Sequence, residues 1–197
     1  VISSRGCPGN CIFCTVKGVW GKTWRGISPE HFVSEIKILI NDYGIKEFSF
    51  LDDSISLDRK RWIKICELLK PLNIKWTVPN GIAHWTLNEE IIKLMKDAGC
   101  YRITFGIESG NRNTREFIRK IHNLMQAKKL IEYANKIGMW TTSTNILGFP
   151  FETPNQIKDT VDFAKKTVDF AGFYLLSPVP QSDVYKYFEG EDGMKEE

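Results

Sequence analysis

A chain of 197 residues with 42% hydrophobic content can bury one sizeable core and is long for two. Its net charge of +3, with acidic and basic residues interspersed, argues against a dedicated nucleic-acid surface. No apolar run approaches the roughly 20 residues of a membrane span, and no signal peptide is visible. Five cysteines in a loop-poor chain do not read as a disulfide framework, so the sequence reads as cytoplasmic. The chain opens at Val1 inside a strand-like run and stops in the charged "EGEDGMKEE". This reads as a core domain over residues 1–188 cut from a longer protein, with 189–197 a charged tail or the start of a C-terminal segment.

In chain order, β-type runs are expected at Val1–Ser4, Lys46–Leu51, Ile74–Val78, Arg102–Ile107, Trp140–Leu147 and Phe173–Ser177. Helical patterns with legible ends alternate with them. "SPEHFVSEIKILINDYG" offers Ser28 as N-cap, Pro29 at the first helical position, an apolar stripe of Phe32, Val33, Ile36, Leu39 and Ile40, and Gly44 as stop. "LDRKRWIKICELL" is expected to start at Asp58, and "TLNEEIIKLMKDAG" at a capping box of Thr86 and Glu89. Asn123 caps "LMQAKKLIEYANKIG", and Thr153, Pro154 and Gln156 open the last helix. Such alternation implies an α/β fold of parallel strands joined by crossovers, either a doubly wound sheet or a partial barrel of βα units. Both place chemistry at the carboxyl ends of the strands, where "DDS", "PNG", "ESGN" and "GFPFET" cluster.

The segment "RGCPGNCIFC" concentrates Cys7, Cys11 and Cys14, whereas Cys66 and Cys100 read as buried structural thiols. A type II turn over Cys7-Pro8-Gly9-Asn10 would bring Cys7 back to Cys11, and Cys11 and Cys14 lie about one helical turn apart. Structural zinc takes four ligands, and catalytic zinc takes three of mixed type; His31, His84 and His122 are all remote in sequence. An iron–sulfur cluster on three thiolates instead leaves one iron open for reaction. A zinc or electron-transfer module in which Cys100 supplies a fourth thiolate is the alternative.

Cys-x3-Cys-x2-Cys, with Phe13 before the last cysteine, resembles the signature of the radical SAM superfamily. "WGKTWRGISPEHFVSEI", "FLDD", "LMKDAGCYRITFGIESGN" and "ILGFPFET" extend the resemblance over nearly the whole chain. They are similar to the radical SAM domain that follows a cobalamin-binding domain in many members. The resemblance implies a partial (β/α)6 TIM-type barrel. It implies a [4Fe–4S] cluster on Cys7, Cys11 and Cys14 that presents its open iron to S-adenosylmethionine (SAM). Reductive cleavage of SAM to a 5′-deoxyadenosyl radical follows, acting on an unknown substrate. A flavodoxin or ferredoxin would supply the electron. Cobalamin would come from a domain outside this chain. C-methylation, ring rearrangement, oxidation and sulfur insertion all use such a core. "TVKGVWGKTWRG" does not resemble the version tied to tRNA methylthiolation.

Carried over position by position, the resemblance assigns Phe13 to the adenine and Asp52 and Asp53 to the SAM amino group. Glu108, assisted by Ser109, would reach the amino group or ribose. Asn80 would face SAM or substrate, Asn145 the ribose, and the backbone of Ile146 to Gly148 the edge of the base. Arg25 and Lys120 match basic positions, the first a contact to a carboxylate or a solvated residue, the second structural. The sequence departs from the family at Ala83, His84 and Trp85, where an Arg and an Asp are common, and at Thr144 and Phe151, where small residues are. His84 reads as a proton donor near neutral pH or as a solvated loop residue.

Overall fold

The computed structural model describes residues 1–120 and 122–188, so the expected charged tail at 189–197 lies outside the described residues. Five strands form one parallel sheet: β3 (Glu47–Ser49), β4 (Lys75–Ile82), β5 (Cys100–Glu108), β6 (Trp140–Leu147) and β7 (Phe170–Leu175). Two short strands precede them, β1 (Ser4–Arg5) and β2 (Arg25–Gly26), paired antiparallel. The helices are α1 (Val16–Val19), α2 (Pro29–Tyr43), α3 (Arg59–Leu69), α4 (Glu89–Asp97), α5 (Arg112–Phe117), α6 (Leu124–Lys136) and α7 (Pro154–Thr167). The sheet order follows the chain order from β3 to β7. A doubly wound sheet would reverse its order at a switch point. Unreversed order makes the sheet curl into a half-barrel, as the resemblance implied.

The expected first strand is cut short for a specific reason. Val1 exchanges main-chain bonds with β3, its nitrogen donating to Ser49 O and its carbonyl accepting from Leu51 N, each at 2.8 Å. Beyond that point the buried Asp52 carboxylate takes over, accepting from Ser3 N at 3.1 Å and from the hydroxyls of Ser3 and Ser4. A side chain thus continues what a strand ladder began.

Local signals set most helix starts. Ser28, Asp58, Asn123 and Thr153 each accept a backbone N–H in the first turn, and Thr153 and Gln156 complete a capping box. Gly44 ends α2 at φ +65°. At α4 the cap is Asn88, not Thr86, because Thr86 lies in a 3-10 turn and its hydroxyl donates to Ala83 O at 2.7 Å.

Strand alternation separates two faces. Outward residues such as Phe48, Trp76, Val78, Ile103, Phe105 and Ile107 join the main core with the helices. Phe32, Phe48, Phe50, Trp62 and Trp76 pack there, mostly edge to face, with ring centroids 5.1–6.5 Å apart. The inward face instead carries hydroxyls, paired as Ser49–Thr77 at 2.9 Å and Thr104–Thr142 at 2.6 Å. A closed barrel fills its interior with branched aliphatic layers. Small polar side chains leave this one open. A second, smaller core of Ile12, Ile118, Phe149 and Val184 lies around the cysteine loop.

Candidate active site

The cysteine loop leaves β1 through Gly6, whose φ of +84° and contact with Thr23 tolerate no side chain; a Cβ would stand 2.4 Å from Thr23 O. Asp53 accepts the Gly6 N–H at 3.0 Å and so fixes where the loop begins. The loop turns differently from the type II expectation. Gly6 rather than Gly9 carries the positive φ, and Gly9 N donates to Cys7 Sγ at 3.4 Å. Cys11 and Cys14 do share a turn, closed by Cys14 N on Cys11 O at 3.2 Å. All three cysteines are half-buried, and they surround one small recess together with Val16 and Lys17.

That recess opens into a cavity of about 370 Å³ at the carboxyl ends of the strands. Cys7, Cys11, Cys14, Phe13, Asp52, Asp53, Asn80 and Glu108 all line it, which brings together eight of the expected site residues. Asn80 reaches it because β4 bulges after Val78, where Gly81 at φ +85° packs close to Gly106. Glu108 reaches it through a break in register between Gly106 and Glu108, with Glu108 itself at φ +62°. A non-glycine residue held there is strained by about 1 kcal/mol or more, a feature concentrated at functional sites.

Glu108 pairs with Lys120 at 2.7 Å, and the side chains are only 10% and 13% exposed. The pair forms a wall of the cavity, and a buried ion pair of Glu108 with a nearby lysine is the alternative that the sequence also offers for this residue. Arg119, Trp85 and His122 also line it; His122 stacks on Trp85 with ring centroids 3.5 Å apart. A second hollow of about 210 Å³ shares Phe13 and Glu108 with the first and continues along Thr144, Ile146 and Tyr174. The two form one trough running from the cysteines to the ends of β6 and β7.

Four of the expected contact residues are hydrogen-bonded within the chain. Ser109 is fully buried and its hydroxyl lies 3.1 Å from Thr160 Oγ1 on α7. Asn145 is an odd position of β6 and faces away from Ile146, donating to Ser143 Oγ at 2.9 Å and Gly172 O at 3.0 Å. Gly148, at φ +88°, is held in a turn by Glu152, which accepts its N–H at 2.7 Å. Arg25 folds back on its own loop, donating to Thr23 O and Trp20 O. Asp52 lines the cavity, but its oxygens are engaged by Ser3 and Ser4, which leaves Asp53 as the freer carboxylate.

Burial pushes the Cys11 and Cys14 thiols up, and neighbouring thiols push in the same direction; Lys120 opposes both shifts. Cations at the recess would reverse this balance, since a bound metal deprotonates a coordinating thiol outright. Among the described residues, no three His, Cys, Asp or Glu side chains converge tightly enough to share a single ion. Three half-buried thiols do line one recess, which is the donor set that a cluster held by three thiolates requires. Cys100 does not join them. It is buried at the amino end of β5, and Glu108 marks the other end about 26 Å away.

A model of the Radical SAM superfamily matches residues 1–164. The chain belongs to the radical SAM superfamily, a superfamily of enzymes. It is 40% identical over 190 residues to an uncharacterized methyltransferase of Pyrococcus horikoshii, covering 95% of this chain and 41% of that protein. It is 34% identical over 192 residues to cytidylyl-2-hydroxyethylphosphonate methyltransferase of Streptomyces wedmorensis, covering 93% and 36%. The fold matches TsrM, a radical S-adenosylmethionine methyltransferase of Kitasatospora setae solved with cobalamin and a [4Fe–4S] cluster. There the TM-score is 0.80 at 19% identity, over 93% of this chain and 38% of that one. This radical SAM chain therefore spans well under half the length of these relatives. Among the described residues, no helix is long and apolar enough to cross a membrane.

Proposed function

We propose that this chain is the radical SAM core, over residues 1–188, of a cobalamin-dependent methyltransferase acting on a small molecule. The observation that carries this reading is one trough holding three half-buried cysteines at one end and the Glu108–Lys120 pair at its middle. Cys7, Cys11 and Cys14 would hold a [4Fe–4S] cluster through three thiolates. When bound, cluster and SAM together supply one-electron cleavage of a sulfonium C–S bond and, with cobalamin from another domain, methyl transfer.

The chain's own residues bind and orient. SAM carries an ammonium and a carboxylate, and Glu108 and Lys120 present the complementary charges side by side. Asp53 adds a second carboxylate on the wall nearest Cys14, whose thiol it also pushes up. Phe13 and Ile146 offer apolar surface to the adenine, and Asn80 a polar contact to SAM or substrate. The hydroxyl-lined interior behind them gives a polar substrate somewhere to enter. A flavodoxin or ferredoxin is the reductant in this scheme, and the cytoplasm is the compartment that keeps such thiols reduced.

The test is low-temperature EPR of the anaerobically reconstituted, dithionite-reduced chain with and without SAM, beside a Cys14→Ala variant. A reduced [4Fe–4S] signal that moves on adding SAM, and is lost in the variant, is the expected result. Zinc in place of iron, or a cluster spectrum indifferent to SAM in a chain that also fails to bind it, overturns the reading.

A further inference from the structure

The cysteine loop is anchored at two separate places. Its start is fixed by Asp53 on Gly6, as described. Its second half is fixed by a turn far away in sequence. Ile12 donates to Ile118 O at 3.3 Å and accepts from Val184 N at 2.9 Å, so its backbone is tied on both sides. The Ile12 and Val184 side chains are buried in the same small core. Beside them, Asp183 pairs with Lys17 through one carboxylate oxygen and with Arg119 through the other, the latter at 2.5 Å. Gln181 packs so closely on Gly18 that a Cβ there would stand 2.4 Å from its amide oxygen.

The partners of Asp183 connect two walls of the site. Lys17 lines the recess with the three cysteines. Arg119 lines the large cavity and is the immediate neighbour of Lys120. Asp183 lies beyond residue 164, where the family match ends, so this tie joins the matched core to the segment that follows it.

We propose that Asp183 is a positioning residue: by holding Lys17 and Arg119 at once, it keeps the Cys11–Cys14 half of the loop in register with the Lys120 wall of the cavity. The inference rests on the cluster reading for its purpose, but the tie itself acts on the thiols whether or not a cluster is bound. Cys7, served by the Asp53 anchor, is outside its control.

The experiment compares the full chain with Asp183→Asn, Asp183→Glu and, as a control on an exposed helical pair, Asp162→Asn. Anaerobic alkylation of the apo chains by iodoacetamide is mapped cysteine by cysteine. Losing two partly exposed ion pairs shifts local opening by roughly fivefold. Asp183→Asn is expected to alkylate about fivefold faster at Cys11 and Cys14, with Cys7 unchanged and Cys66 and Cys100 still protected. Asp183→Glu is expected to recover most of the protection, and Asp162→Asn to behave as wild type. After reconstitution, Asp183→Asn is expected to hold its cluster with a broadened signal and a weakened response to SAM. Wild-type alkylation and spectrum in Asp183→Asn overturn the proposal. So does loss of protection at Cys66 and Cys100, which would make the effect one of global stability. If the alkylation difference holds but the wild-type chain takes up no cluster, the cluster reading fails, and with it the purpose assigned to Asp183.

Discussion

Glu108 and Lys120 form the most buried ion pair among the described residues, and a double-mutant cycle measures how much each relies on the other. Replacing Lys120 by Met leaves the Glu108 carboxylate with no partner at 10% side-chain exposure. Breaking a buried pair in this way costs about 3–5 kcal/mol; facing a cavity, this one belongs at the low end, about 3 kcal/mol. Glu108→Gln strands the ammonium instead, but the flexible lysine stem can turn toward the water in the cavity, which limits the loss to about 2 kcal/mol. If the two residues serve each other, the double variant loses about 2 kcal/mol rather than the additive 5, a coupling of about 3 kcal/mol. Urea unfolding of the apo chain near neutral pH, followed by the fluorescence of the buried Trp62 and Trp76, reads these values. With a slope of about 2 kcal/mol per molar urea, Lys120→Met moves the midpoint down by about 1.5 M. A loss under about 0.5 kcal/mol with additive behaviour in the double variant would refute the argument. It would mean that water already screens the pair and that something else holds Glu108 at its positive φ.

Two further outcomes test other parts of the site. His84 is buried, and burial, then Lys120 and His122, push its pKa down to about 4 from 6.5, outweighing a weak backbone contact to Asn123 that pushes it up. It is therefore neutral in the fold and protonated by the unfolded chain below about pH 6.5, so its contribution is intact above that pH. Stability should then fall by about 3 kcal/mol as pH drops through this window toward 4, and His84→Phe should flatten most of the slope in pH-dependent urea titrations. A small residual slope is expected from His122, which burial and Lys120 push the same way. Gly6→Ala meets both a φ of +84° and a backbone oxygen at 2.4 Å. It should cost at least about 2 kcal/mol in thermal or urea unfolding and lower iron incorporation; wild-type stability would show that the loop entrance is free to shift.

The sequence was most legible where structure is made by neighbours. Caps at Ser28, Asp58, Asn123 and Thr153 work through contacts two or three residues away, so they could be read directly. The α4 cap was misplaced because two polar residues two positions apart compete, and only the 3-10 turn that engages Thr86 decides for Asn88. Half-burial of alternate positions could have separated Asn145 from Ile146 at once, since adjacent strand residues face opposite ways. A type II turn at Pro8-Gly9 was a fair local expectation. The structure instead places the positive φ at Gly6, beside Thr23 of the β1–β2 connection, and turns Gly9 N toward Cys7 Sγ.

The parts that stayed hidden share one property: each joins charges or main-chain groups that are close only after the fold closes. His84 was read as either titrating or solvated, yet packing under Trp85 and His122 makes it neither. Glu108 and Lys120 are twelve residues apart with α5 between them, and they meet because α5 is short and the chain returns over the strand end. Asp183 and Lys17 are separated by 166 positions. The three cysteines alone could be read as a ligand set from their spacing, but their spacing says nothing of what holds them still. That work falls to Asp53 at one end of the loop and to Ile118, Val184 and Asp183 at the other, and each of these acts through tertiary contacts. A three-thiol recess of this design has its cysteines encoded locally and its rigidity encoded remotely, so substitutions far from the cysteine motif should loosen the thiols without touching the motif itself.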